Sequence, residues 1–242
     1  EYKRCKANLE LRIQDNEQWY KLRHWEQIKG QSEPSSNAPE PTSAWLFNSI
    51  LNKHADAMDN YPKPNILPRS SNDEEDAKTL SAIIPVILEQ NDYEEVYSNK
   101  WWYKLKNGTS VEGIFWNPRK NNGLGDIDIK NIDLLNLFWE SGINDIQDSR
   151  NVFNVDLIDN DLLEGQYPFM KGIVGGKSFN VTEYLYDDQV DTTNKSVVVD
   201  WYYKTINENG IQVLNYCKFC NGEVLYASEN DPAYADRGFY DH

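Results

Sequence analysis

The chain has 242 residues, 39% hydrophobic and 13% aromatic, with eight Trp and fifteen Tyr. Its 39 acidic against 24 basic residues leave a net charge of -15. Such a surface repels phosphate backbones, and the Lys and Arg are scattered among acids, which argues against tight nucleic-acid binding.

No run of eighteen apolar residues exists to span a membrane, and the length permits one large domain or two small ones with an ample core. The opening Glu1-Tyr-Lys-Arg-Cys-Lys6 lacks the apolar core of a signal peptide, and both ends read as cut. Residues 2–29 are expected to be helical, with Leu9, Ile13, Trp19, Leu22 and Trp25 as irregular apolar points and Gly30 as a stop. Residues 31–43 hold three prolines among Ser, Asn and Thr and read as a loop. Residues 1–43 thus form an N-terminal helix and loop, set apart from 44–242. A second helix is expected from Ser43, as N-cap, to Asn60, with Trp45, Ile50, Leu51 and Met58 as its apolar stripe. Tyr61-Pro-Lys-Pro64 ends it and keeps residues 62–68 extended. Asn72-Asp-Glu-Glu-Asp76 then opens one long helix running to Lys106. Its acidic first turn complements the helix dipole, Pro85 should kink it, and Asn107-Gly108 stops it.

From Gly108 to Arg150 the pattern changes to strand pieces, residues 108–118, 123–129, 136–140 and 144–150, each alternating apolar and polar residues. Ile114 and Trp116 share one face; Ile127 and Ile129 share another, opposite Asp126 and Asp128. Asn117-Pro118 and Asn121-Asn122-Gly123 supply turns. Asp159 is expected to cap a short helix, Asn160 to Tyr167, broken by Pro168. Strands follow at 178–186 and 196–205, and Asn209-Gly210 turns the latter into a hairpin of Val213 to Cys220 with Glu223 to Tyr226 across Asn221-Gly222. The class is α+β: N-terminal helices including one long kinked helix, followed by an antiparallel β meander and hairpins.

None of the chemical signatures completes itself. Cys217 and Cys220 spell CxxC, but on a strand they face opposite ways, so with Cys5 they are expected to be free thiols. Gly172-Ile-Val-Gly-Gly-Lys-Ser178 falls one residue short of a phosphate loop and lacks its flanking strand and helix. Asp126, Asp128 and Asp133 do not match a calcium loop, because isoleucines interleave them, and read as the solvated face of a strand. His54, near Asp56 and Asp59, has no second ligand pair and reads as a surface histidine of a helix. No Ser or Cys has a plausible His partner, and Asp187-Asp188 sits in a loop. No catalytic residue, metal site or cofactor is expected. The clusters Trp101-Trp102-Tyr103 and Trp201-Tyr202-Tyr203 read as core or subunit contact, with Trp101, Trp102, Trp201, Tyr202 and Tyr203 as candidate interface aromatics. A competing reading uses those aromatics as the sugar platform of a secreted or surface carbohydrate-binding module. It draws on the sequons at Asn107, Asn180 and Asn194. A two-carboxylate hydrolase stands third.

The order of these pieces resembles the phage portal proteins, the head-to-tail connectors of bacteriophages. The helix Glu75 to Lys106 running through Gly108 into Val111-Glu-Gly-Ile-Phe-Trp116 is similar to the family's wing helix and first wing strand. Gly125 to Ile132, then Asp133-Leu-Leu-Asn-Leu-Phe-Trp139, resembles the stretch where portals place a strand before an Asp-Pro turn; here Trp139-Glu-Ser-Gly142 replaces Asp-Pro. Asp145 to Val152, followed by Leu157 to Tyr167, resembles a strand and the short helix that ends in Tyr-Pro. The likeness covers nearly everything from Ala44 onward, ending in Gly222-Glu-Val-Leu-Tyr226 and Phe239-Tyr-Asp-His242. It implies a wing-containing part of a non-enzymatic structural subunit, with stem, clip and crown elements expected beyond it. In a twelve-subunit ring at one capsid vertex such proteins conduct double-stranded DNA during packaging and ejection. Capsid and scaffold protein, the terminase ATPase and tail or adaptor proteins are the implied partners. No membrane is involved; the implied location is the virion, after assembly in the host cytoplasm.

Overall fold

The computed structural model describes residues 2–29, 39–174, 193–207, 209–234 and 238. They form an α+β arrangement of six α-helices and seven strands, every strand pairing antiparallel. The chain divides into two compact units, one of residues 1–11 with 134–242 and one of residues 12–133, the division falling inside the first helix. The expected strand 178–186, Asp187-Asp188, the sequon at Asn180 and the second half of the glycine-rich 172–178 stretch lie outside the described residues, as do Gly30 and the final Phe239 to His242.

The unit of residues 12–133 is mainly helical. The expected helix over 2–29 is two: α1 (Tyr2–Tyr20) and α2 (His24–Lys29), separated where Leu22 takes a left-handed conformation at φ 63°. Helix α3 (Trp45–Asp59) starts after Ala44, which offers no side-chain cap, so Ser43 is not the N-cap. Of the expected stripe, Ile50 is buried together with Ala57, whereas Trp45 is 80% exposed. The largest departure concerns the long helix. Residues 74–107 form two helices, α4 (Glu74–Gln90) and α5 (Tyr93–Asn107). The break is not at Pro85, which α4 passes through, but at Asn91-Asp92, where Asp92 is left-handed at φ 46°. Asn91 explains the site of the break. Its side-chain amide donates to the Ile87 carbonyl, while its Oδ1 accepts from Lys120 Nζ at 2.7 Å and from the Ile129 N–H. A polar residue that satisfies the last carbonyls and also anchors a neighbouring strand ends a helix more firmly than a proline that costs one hydrogen bond. Helix α5 ends as its sequence demands: Lys104 and Lys106 lie in the last turn, and Gly108, at φ 79°, donates its N–H to the Lys104 carbonyl.

After α5 come β1 (Val111–Asn117) and β2 (Asp126–Ile132), a two-stranded sheet in the register Ile114 with Ile129 and Trp116 with Ile127. Asn131 donates to the Val96 carbonyl, and Lys100 pairs with Glu112 at 2.8 Å, which places one face of this hairpin on α5. The expected continuous meander stops there. The remaining strands belong to the other unit, and residues 144–150, expected as a strand piece, form a short 3-10 turn over Ile146–Asp148 capped by the Asp145 side chain.

The unit of residues 1–11 and 134–242 is built on a five-stranded sheet in chain order: β3 (Leu137–Trp139), β4 (Asn151–Asp159), β5 (Lys195–Ile206), β6 (Gln212–Cys220) and β7 (Glu223–Ala227). Val197-Val-Val199 and Trp201-Tyr-Tyr203 are strong strand formers, and β5 sits at the centre of the sheet. Asn221 and Gly222 both have positive φ, 52° and 92°, which is the two-residue hairpin turn their sequence indicated. Between β4 and β5, α6 (Asn160–Gln166) begins at Asp159, which makes no side-chain cap bond, and a 3-10 turn over Pro168–Met170 follows. Leu163 and Met170 cover one sheet face, packing with Val198, Cys220 and Leu225 into the buried core. Phe153, Trp201 and Tyr203 lie on the opposite face, stacked on one another, and Tyr2 of α1 meets Phe153 at 5.2 Å. Beside them Lys6, 6% exposed, donates to the carbonyls of Leu135 and Leu137 at 2.9 and 2.7 Å with its ammonium 4.2 Å from the Phe138 ring centre.

Candidate interaction surfaces

Asp126 and Asp128 stand on β2; Asp128 pairs with Lys120 at 3.0 Å and Asp126 accepts from the Asn121 amide, so both carboxylates serve the hairpin loop. Among the described residues no group of three or more His, Cys, Asp or Glu could hold a metal ion, and no helix is long and apolar enough to cross a membrane. Cys5, Cys217 and Cys220 are free. Burial pushes the Cys217 and Cys220 thiols up from their ordinary range, reinforced at Cys217 by Glu229 and opposed at Cys220 by a Ser196 hydrogen bond. Both thiols therefore stay protonated and poor as nucleophiles.

His54 is not the surface histidine its surroundings suggested. Its ring stacks on Trp102 at 4.0 Å and 15°, and Nε2 lies 3.0 Å from the Ser98 hydroxyl and 3.2 Å from its carbonyl. The reason is placement: α3 and α5 pack together, and position 54 of α3 meets Ser98 and Trp102, one turn apart on α5. The candidate interface aromatics are likewise engaged within their own units. Trp102 also takes the edge of Tyr20 at 5.9 Å. Trp101 meets Tyr97 edge-on and lies under Lys104 Nζ. Trp201 stacks with Phe153 and Tyr203 and donates Nε1–H to Asn151 at 3.0 Å. Tyr202 packs on Tyr216. Burial first, then a hydrogen bond to Glu229, pushes Tyr203 up to about 12. All five are half-buried, Trp101 and Trp102 in one unit and residues 201–203 in the other. The ring faces a sugar would stack on carry His54 over Trp102 and Phe153 with Tyr203 over Trp201.

The exposed apolar groups lie elsewhere. On the β1–β2 hairpin Ile114 is 71%, Trp116 61% and Leu124 84% exposed. On α4, Leu80, Ile83 and Val86 face solvent while Ala77 is buried. Sequence periodicity marks these residues as apolar but does not say which apolar face has a partner. The signal that existed was the unbroken apolar run Ala82 to Leu88 of α4, wider than one buried helical stripe requires.

The family model described as phage P22-like portal protein matches residues 18–238. A comparison with curated proteins gives no match.

Proposed function

This chain belongs to the phage P22-like portal protein family, whose members have a structural role at the virion capsid, and we propose that its residues 44–242 are the wing-like part of a portal subunit. Twelve such subunits, each with its stem, clip and crown, close a ring at one capsid vertex. The ring passes double-stranded DNA in packaging and ejection, and terminase, scaffold and tail proteins dock on it. The subunit itself catalyses nothing and needs no cofactor; the packaging ATPase is a partner, and assembly takes place in the host cytoplasm. The observation that carries this reading is the family match over residues 18–238. The net charge of -15 is in keeping with it, because a conduit must let DNA slide rather than grip it. The half-exposed edges of Trp101, Trp102, Trp201, Tyr202 and Tyr203 are the proposed subunit contacts, since interfaces favour aromatics.

Ring closure needs two different faces of each subunit. The wing alone is expected to bury less than the ~1,000 Å² of a stable interface. Light scattering on these 242 residues at micromolar concentration should therefore report close to 28.2 kDa. The full-length protein, viewed by electron microscopy, should form closed rings. A full-length protein that stays monomeric with scaffold present would defeat the portal-ring reading, whereas rings from this chain alone would defeat only the division of labour.

A further inference from the structure

A cavity of about 520 Å³ opens at the corner between α4 and α5. That volume lies within the range of pockets that hold small ligands. One wall is the extended Tyr61-Pro-Lys-Pro64 stretch. Two contacts hold this wall in place: the Ile66 N–H donates to the Ser81 hydroxyl at 3.2 Å, and the Tyr61 ring meets Tyr97 edge-on at 5.2 Å. The facing wall is Pro85 and Leu88 of α4 with Tyr93 of α5. The Tyr93 hydroxyl is 3.3 Å from Glu112, so this tyrosine turns its ring, rather than a free hydroxyl, to the cavity.

The remaining lining is charged. Glu89, Asp92 and Glu94 border the cavity on exposed positions, and none of them forms an ion pair among the described residues. Lys63 is the basic residue of the lining, also exposed. The acids therefore outnumber the base at the mouth, while tyrosine, proline and leucine form the walls. A group that fits both must have an aliphatic stem and a cationic head. The stem takes the apolar wall, the head sits over tyrosine rings within reach of carboxylates, and its charge stays near water.

We propose that this cavity is a docking site for a lysine or arginine side chain carried on another protein. The opposite charge of the rim steers that segment in, and the left-handed Asp92 corner, with Asn91 tied to β2, keeps the acids positioned before it arrives. The site does not depend on the ring reading above; it needs only the α4–α5 corner.

The test is an amide NMR titration of the whole chain with the probe acetyl-Gly-Gly-Lys-Gly-Gly-amide, alongside its arginine and norleucine counterparts and free butylamine. The lysine and arginine peptides should shift the amides around Tyr61, Leu88 and Tyr93 in a saturable manner. The norleucine peptide should bind at least tenfold more weakly, and so should the lysine peptide to the Glu89→Gln/Glu94→Gln chain. Glu223→Gln, an exposed acid on β7, should leave binding unchanged. No localised shift, equal binding of norleucine, or an equal loss with Glu223→Gln would overturn the proposal. Butylamine binding as tightly as the peptide would overturn it in favour of a free-amine site.

Discussion

Strands β1 and β5 are built from the same kinds of residue, yet they end in opposite circumstances. Val111-Glu-Gly-Ile-Phe-Trp116 pairs with a single neighbour among the described residues, and its Ile114 and Trp116 are largely exposed. Val197-Val-Val-Asp-Trp-Tyr-Tyr203 has a partner on each edge, with Leu163 and Met170 of the preceding segment on one face and an aromatic stack on the other. Alternation of apolar and polar residues determines that a strand forms. How much of its apolar face is buried depends on how many elements cover it. In the hairpin only the part over α5 is covered. There Glu112 and Asn131 make polar contacts with α5, while Ile114 and Trp116 farther along the strand are exposed.

The comparison breaks most visibly at the sheet core. Leu163→Ala removes a side chain that is 1% exposed and should cost ~2–5 kcal/mol in a denaturant melt followed by circular dichroism. A loss no larger than that of a surface change would mean that α6 is not part of the stabilising core.

An intermediate effect is expected in alkali. Tyr203 and Tyr226 on the sheet and Tyr93 on α5 are each pushed up to about 12, by burial first and then by Glu229, Asp231 and Glu112 respectively. Tyr216, half-buried and donating to Asp200 at 2.6 Å, is pushed up further still. An unfolded tyrosine titrates near 10. The folded state therefore holds these protons more tightly than the unfolded state. Their contribution is fully present below pH ~10 and is lost as pH rises through 12. Absorbance at 295 nm should show part of the tyrosines ionising only above pH ~11, together with loss of the strand signal. If every tyrosine titrated near 10 with the fold intact, the shielded, carboxylate-facing phenols of the sheet would be contradicted.

The smallest effect belongs to the hairpin. Ile114→Ser should change stability by no more than ~0.5 kcal/mol, the range of ordinary surface substitutions. A larger loss in the isolated chain would show that this face is covered after all. If the same change left the isolated chain alone but lowered the yield of closed rings from the full-length protein, Ile114 would join the subunit contacts.

Much of the fold was legible because it rests on short-range chemistry. The Asn221-Gly222 hairpin, the Gly108 stop and the strand formers of β5 act through backbone conformation and near neighbours. The split at Asn91-Asp92 was legible in part: an Asn-Asp pair followed by Glu94 and Glu95 is a stop followed by an acidic helix start, but Pro85 is the louder local signal. What made Asn91 decisive was Lys120 and Ile129, 29 and 38 residues away. The aromatic candidates show the same boundary. Spacing marked Trp201, and its aromatic cluster marked Trp102, as residues that need a partner, but His54, 48 positions before Trp102, became its partner through helix packing.

By itself, then, the sequence determined the element types, the antiparallel hairpins, the acidic surface and a likeness to portals, all properties of residues close in the chain or summed over it. Tertiary structure alone decided that residues 108–150 divide between two units, that Lys6 is buried against two carbonyls, and that the α4–α5 corner encloses a cavity. Burial and enclosure arise from surfaces brought together across many residues, and no local pattern encodes which surface arrives.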